Sequence, residues 1–265
     1  MPLLQLQGIS KRFGAVQALS EVDFECDGGE VVALVGDNGA GKSTLVKTIA
    51  GSHQPDSGRV VFDGQEVHIG NPQAATDLGI ATVYQDLALC DNLDAVANLY
   101  IGRERARGFG RNLRWLDEAV MEHEAGTLLE RLAVELPNLR HPVAALSGGQ
   151  RQSIAVARAT LGNPKLVMLD EPTAALGVAQ TRQVLELVRR LRGEGLAVVV
   201  ISHNLVDVFA VADRMIVLRL GRRVADFRAT DTTAEEVVAA ITGADTADVH
   251  ATYITATTDD TEAPS

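Results

Sequence analysis

Two periods divide this chain. Short runs of consecutive apolar residues at 30–35, 79–84, 166–170 and 197–203 read as strands buried on both faces, whereas apolar spacing of three and four over 178–192 reads as an amphipathic helix. Residues 3–8 and 21–26 alternate as half-exposed strands do, with Lys11-Arg12-Phe13-Gly14 as the turn between them. Residues 43–50 read as a helix that Gly51 closes. Pro55-Asp56-Ser57-Gly58 is a turn, 59–62 a short strand, Asp63-Gly64 a second turn, and Pro72 the start of another helix. Toward the end, 215–220 and 222–227 flank Gly221 as a hairpin, and Thr233-Ala234-Glu235-Glu236 is a capping box opening a helix that Gly243 ends.

Strands alternating with helices imply a parallel, covered sheet, so the fold class is α/β, with an antiparallel β region at the N-terminus. From 90 to 162 the pattern changes. Helical periodicity at 93–101 and 115–132, with no convincing strand, predicts a helical insertion between core segments 1–89 and 163–243. Residues 103–114 carry five arginines and are expected to form a solvated loop. The stretch 244–265, rich in Thr, Ala and Asp, is expected to be disordered.

Composition narrows the function. A 265-residue chain that is 46% apolar can fill a sizeable core. The net charge of −11 leaves no overall basic field for DNA, RNA or an anionic lipid surface, so nucleic acid is not expected as a partner. Cys26 and Cys90 lie far apart without metal-ligand spacing, which fits a reducing compartment and neither a disulfide framework nor a zinc site. No leader-like segment opens the chain, and its longest apolar run, 196–201, is too short to cross a bilayer. A cytoplasmic location follows, with any membrane role coming through a partner.

The chemistry begins at Gly36-Asp37-Asn38-Gly39-Ala40-Gly41-Lys42-Ser43-Thr44, which fits the phosphate-loop pattern G-x-x-x-x-G-K-[ST] in its required setting of strand, loop and helix. Glycines at 36, 39 and 41 let the backbone turn several N–H groups toward an anion at a helix start. Lys42 adds a cation in reach of β and γ phosphates, and the Ser43 hydroxyl can ligate Mg2+. A carboxylate for the metal and a base for water are then needed. Asp170-Glu171, at the end of an apolar strand, supplies both: Asp170 for Mg2+ and Glu171 to polarise the attacking water. Gln85 ends another strand, at the sheet edge where α/β proteins bind ligands. A further helix start, Ser147-Gly148-Gly149-Gln150, offers a second cluster of N–H groups at a positive dipole end; an ordinary capped start would not explain two consecutive glycines.

Leu146-Ser147-Gly148-Gly149-Gln150 standing after the phosphate loop and shortly before Leu166-Val167-Met168-Leu169-Asp170-Glu171-Pro172 resembles the ATP-binding subunit of an ABC transporter. The resemblance spans roughly residues 3–243 and implies a P-loop NTPase fold with a RecA-like parallel sheet, helices on both faces and an inserted helical subdomain. It further implies that two cassettes pair head to tail, so that Ser147 and Gly149 of one copy meet the γ-phosphate held by Lys42 of the other. Phe13 matches the aromatic that stacks on adenine, Gln85 the glutamine that senses Mg2+ and the transmembrane partner, and His203 the switch histidine at the γ-phosphate. One position departs: Ala174-Ala175-Leu176-Gly177 ends without the family's usual aspartate.

Ile9-Ser10-Lys11-Arg12-Phe13-Gly14-Ala15-Val16, 171–177 and Ile201-Ser202-His203-Asn204 are similar to bacterial monosaccharide importers of the ribose, xylose and fructose type. That resemblance implies an ATPase taking ATP and Mg2+, peripheral on the inner face of the cell membrane. Its implied partners are a second copy of itself, transmembrane permease subunits and, indirectly, a periplasmic or lipid-anchored sugar-binding protein. Other readings of the same residues are an ATPase of another transporter class, a soluble ATP-driven machine, or a nucleotide-dependent regulator that does not turn over.

Overall fold

The computed structural model describes residues 1–109 and 113–244. In chain order the elements are β1 (Leu4–Phe13), β2 (Val16–Cys26), β3 (Val31–Val35), α1 (Lys42–Ile49), β4 (Ser57–Phe62), β5 (Gln65–Val67), α2 (Pro72–Leu78), β6 (Ile80–Val83) and α3 (Ala95–Tyr100). Next come β7 (Ala106–Phe109), β8 (Leu113–Leu116), α4 (Glu118–Arg131), α5 (Gly148–Thr160), β9 (Leu166–Asp170), α6 (Val178–Gly193), β10 (Ala197–Ile201) and α7 (Leu205–Val211). A hairpin, β11 (Arg214–Arg219) and β12 (Arg222–Arg228), and α8 (Ala234–Thr242) complete the described chain.

The strands form a six-stranded sheet in the order β12-β11-β3-β10-β9-β6, a four-stranded antiparallel sheet β2-β1-β4-β5, and the small pair β7-β8. In the large sheet the neighbours from β11 through β6 run parallel, and β12 is antiparallel at one edge. Because side chains alternate across a strand, each central strand feeds two cores. Val31, Ala33, Val35, Val167, Leu169, Val198 and Val200 face one, shared with α3 to α8. Val32, Leu34, Leu166, Met168, Val199 and Ile201 face the other, shared with α1 and the antiparallel sheet. Burial on both faces is why these strands read as unbroken apolar runs.

Several expectations change. Segment 90–162 is not purely helical: Ala106–Phe109 and Leu113–Leu116 pair as a hairpin inside the arginine-bearing stretch expected to be a loop, while residues 110–112 lie outside the described residues. Periodicity gave no signal there because a four-residue strand is too short to show one. Trp115 and Leu116, expected to begin a helix, sit on β8 and are 67% and 58% exposed; α4 starts instead at an Asp117 cap. β1 and β2 are longer than expected, which moves the turn from Lys11-Arg12-Phe13-Gly14 to Gly14 and Ala15 and leaves Phe13 on the last rung, opposite Val16. The disorder expected after 244 falls on residues outside the described ones.

Candidate functional site

The order of the parallel strands assembles the site. β3, β10, β9 and β6 are neighbours, with Leu34 beside Ile201, Ile201 beside Asp170, and Leu169 beside Val83. Their C-terminal ends therefore deliver, side by side, the Gly36–Ser43 loop, His203, the Asp170-Glu171 pair and Gln85. Residues separated by up to 167 positions reach one sheet edge, where open α/β sheets bind ligands.

At the first of these ends the backbone needs glycine for two reasons. Gly36, Gly39 and Gly41 all have positive φ, at 149°, 80° and 105°. Space is also short: a Cβ on Gly36 would collide with the Leu218 carbonyl, and one on Gly41 would lie 2.7 Å from the Ala18 carbonyl. Gly41 caps α1 without a side-chain hydrogen bond, and no acidic residue occupies the first turn. The helix start thus keeps its positive dipole end free of a neutralising side chain. Lys42 Nζ folds back over the loop, donating to the Gly36 carbonyl at 2.6 Å and the Asp37 carbonyl at 3.1 Å. Burial lowers the Lys42 ammonium from its ordinary range, opposed by Glu171, Asp37 and Asp170. Ser43 is exposed beside it, Thr44 half-buried, Asn38 exposed, and Ala40 buried.

The acidic end shows the opposite balance. Burial and the neighbouring Glu171 raise the Asp170 carboxyl above the usual carboxylate range, against the pull of Lys42 and Lys47. Glu171 adopts φ of 49°, uncommon for a residue with a side chain, and its N–H donates to the Ile201 carbonyl at 2.9 Å. Its Oε2 lies 2.9 Å from His203 Nδ1, the imidazole being 74% exposed. An ammonium and an uncapped helix start on one side, and carboxylates and an imidazole on the other, can hold a polyanion and handle a proton beside it.

Gln85 is exposed between β6 and α3, on a cleft of about 450 Å³ that it shares with Glu171, Gly148, Arg151 and Leu176. Ser147 Oγ accepts from the Gln150 N–H at 3.3 Å, and Gln150 Oε1 accepts from the Ser147 N–H at 3.0 Å, a reciprocal cap on α5. The two glycines have a packing cause that the sequence did not disclose: a Cβ on Gly149 would sit 2.9 Å from Gln180 Cβ, and one on Gly148 3.0 Å from Leu176 Cδ2. Gly177 caps α6 and its N–H donates to Gln180 Oε1 at 3.3 Å; nothing lies within 4 Å of where its Cβ would be. Phe13 stands apart, 43% exposed, edge-on to His53 at 5.1 Å and under the Lys11 ammonium at 5.5 Å. Of the cysteines, Cys26 is buried, with its thiol pushed up by burial, and Cys90 is half-buried; both are free.

Sequence reading missed α7 and the residues around it. Asn204 caps that helix through the Val206 and Asp207 N–H groups, and Asp207 reaches back to Thr173. The spacing Asn204-x-x-Asp207 directly after a strand was the available signal.

Comparison with known proteins places this geometry. The xylose/arabinose import ATP-binding protein of Sulfolobus acidocaldarius is 45% identical, over 91% of this chain and 94% of its own length. The fructose import ATP-binding protein of Rhizobium meliloti is 46% identical, over 92% and 95%. The ribose import ATP-binding protein of Burkholderia pseudomallei is 40% identical over 92% of this chain, which spans only 47% of that relative. Among solved structures, an ATP-binding cassette of an ABC transporter in its ADP conformation superposes with a TM-score of 0.79 at 27% identity, covering 94% of this chain and 98% of that one. A dimeric cassette in a post-hydrolysis state with ADP and Pi gives 0.70 at 26% identity, covering 85% and 98%. With residues 19–174 matching the family described as ABC transporter, and relatives this similar over nearly the whole chain, the chain belongs to the ABC transporter family.

Proposed function

We propose that this chain is the ATP-hydrolysing subunit of a monosaccharide importer, working as two identical copies on the inner face of a membrane beneath a permease. The observation that carries the reading is the row of four neighbouring strand ends bearing Lys42, His203, Glu171 and Gln85. In it the loop amides, with Gly36, Asp37, Asn38, Gly39, Ala40, Gly41 and Thr44 shaping them, and the Lys42 ammonium hold the triphosphate. Phe13, free on its outer face, offers adenine a ring to stack on. Glu171 accepts a proton from the attacking water, and His203 moves from Glu171 to the γ-phosphate when nucleotide arrives. Ser43, Asp170 and Gln85 present hydroxyl, carboxylate and amide oxygens, donors that fit Mg2+ shared with phosphate. The cation would neutralise charge on the β and γ oxygens there.

Residues 1–243 act as one ATP-binding unit, with 90–162 as an inserted subdomain. Ser147, Gly148, Gly149 and Gln150 of one copy face the nucleotide of the other; a similar cassette of known structure that is dimeric supports pairing of two copies. A groove of about 370 Å³ beside Gln85, walled by Tyr84, Asp86, Leu87, Leu99, Ile101 and Arg158, suits the permease, which in turn meets a periplasmic or lipid-anchored sugar-binding protein. Arg158 fixes one wall by donating to the Leu87 and Ala88 carbonyls at 2.6 and 2.8 Å. Among the described residues no helix is long and apolar enough to cross a membrane. The sugar class rests on the names of the relatives. Calorimetry with ATP and Mg2+, followed by a phosphate-release assay, tests the reading: uptake and turnover are expected, and no nucleotide uptake overturns it.

A further inference from the structure

Behind the exposed contact between Glu171 and His203, the same two loops meet a second time. Asp207, buried in the first turn of α7, accepts through a single oxygen, Oδ2: from the Thr173 hydroxyl at 2.7 Å and from Asn204 Nδ2 at 3.1 Å. Thr173 stands two residues past Glu171, and Asn204 directly follows His203. Asn204 is fixed in its turn, its N–H donating to the buried Ser202 hydroxyl at 3.0 Å and its Oδ1 accepting from the Val206 N–H at 3.0 Å. The Thr173 bond joins residues 34 positions apart and closes a loop that contains α6 and β10.

Capping does not require this arrangement. Asn204 caps α7 with its own carbonyl oxygen, so the helix start is satisfied before Asp207 is counted. A buried carboxylate is costly unless it is well hydrogen-bonded, and here its two bonds both go to loops that carry site residues. Resting on the hydrolytic reading above, we infer that Asp207 is a positioning residue, which holds the Glu171 and His203 loops at a fixed separation so that both side chains meet the same phosphate. The clasp is short and buried, whereas the Glu171 to His203 contact, with the imidazole 74% exposed, must break for His203 to reach phosphate. It keeps the two loops in register while that exchange happens.

Steady-state ATP hydrolysis by the full chain tests it. Both donors reach one oxygen, so the amide carbonyl of Asp207→Asn can accept both and is expected to stay within about threefold of the parent kcat, while Asp207→Leu loses about tenfold or more. Thr173→Val, nearly isosteric and the milder change, is expected to lose kcat in the same direction, with KM for ATP within about twofold in every variant. The double variant Asp207→Leu, Thr173→Val should lose no more than Asp207→Leu alone, since the two act through one contact. Hydrogen exchange should quicken at both loops in Asp207→Leu. A folded Asp207→Leu with the parent kcat, an Asp207→Asn as damaged as Asp207→Leu, or a loss carried by KM overturns the inference. A parent chain that binds ATP but releases no phosphate fails the reading of the site itself; a parent that turns over beside an equally active Asp207→Leu fails the clasp alone.

Discussion

Two helix starts in this chain are rich in glycine, and they are built on different principles. At α1 the glycines have positive φ and two of them admit no Cβ, the cap makes no side-chain bond, and the loop wraps the Lys42 ammonium. At α5 neither glycine has positive φ, a Ser147 and Gln150 box satisfies the cap, and Leu176 and Gln180 pack closely against the two glycines. The first start is shaped by its own backbone, the form that the proposed anion site requires. The second is shaped by its neighbours.

Three changes separate these roles. Lys42→Ala is expected to have the largest effect: losing the cation at the anion should cost about 100-fold or more in turnover, roughly 3 kcal/mol, with folding intact by thermal melt. Retained turnover would deny the α1 start its role. Gly149→Ala should overpack the α5 start against Gln180 at a cost of about 1–3 kcal/mol in stability, read by chemical denaturation. Pairing it with Gln180→Gly, which removes the obstructing Cβ, sharpens the comparison. If Gly149 serves packing alone, the pair regains full turnover; if its backbone also approaches nucleotide, turnover stays low while α5 packs normally. Smallest is Ser147→Ala, which removes one side of the cap and should cost about 0.5–2 kcal/mol, with nucleotide affinity of the single chain unchanged in calorimetry.

The contrast also marks what the sequence could disclose. Strands β3, β9 and β10 were legible because burial on both faces leaves runs such as Leu166 to Leu169 that no surface helix shows. The Gly36 to Thr44 motif was legible because its pattern is local, contained in nine consecutive residues. The β7 and β8 hairpin was not, since four-residue strands carrying arginine and glycine are too short to show a period. The packing reason for Gly148 and Gly149 was hidden for another cause: Leu176 and Gln180 lie some thirty residues on, and only the approach of α5 to α6 brings them together. The pairing of Thr173 with Asp207 was invisible in the same way. Residues whose role is to join two loops leave no pattern along one stretch.

Gly177, where the resemblance leads to the expectation of an aspartate, caps α6. Nothing lies within 4 Å of where its Cβ would be, so the α6 start has room for a side chain there. The Asp207 clasp holds the loop only a few residues before it, at Thr173.

Pairing of the two helix starts across two copies is the central claim, and size-exclusion chromatography with light scattering on Glu171→Gln, in ATP and Mg2+, tests it most directly. Removing the base should leave nucleotide bound and uncut, so the account predicts a stable dimer that disperses when Mg2+ is chelated. A Glu171→Gln chain that binds ATP yet elutes as a monomer at every concentration would contradict it.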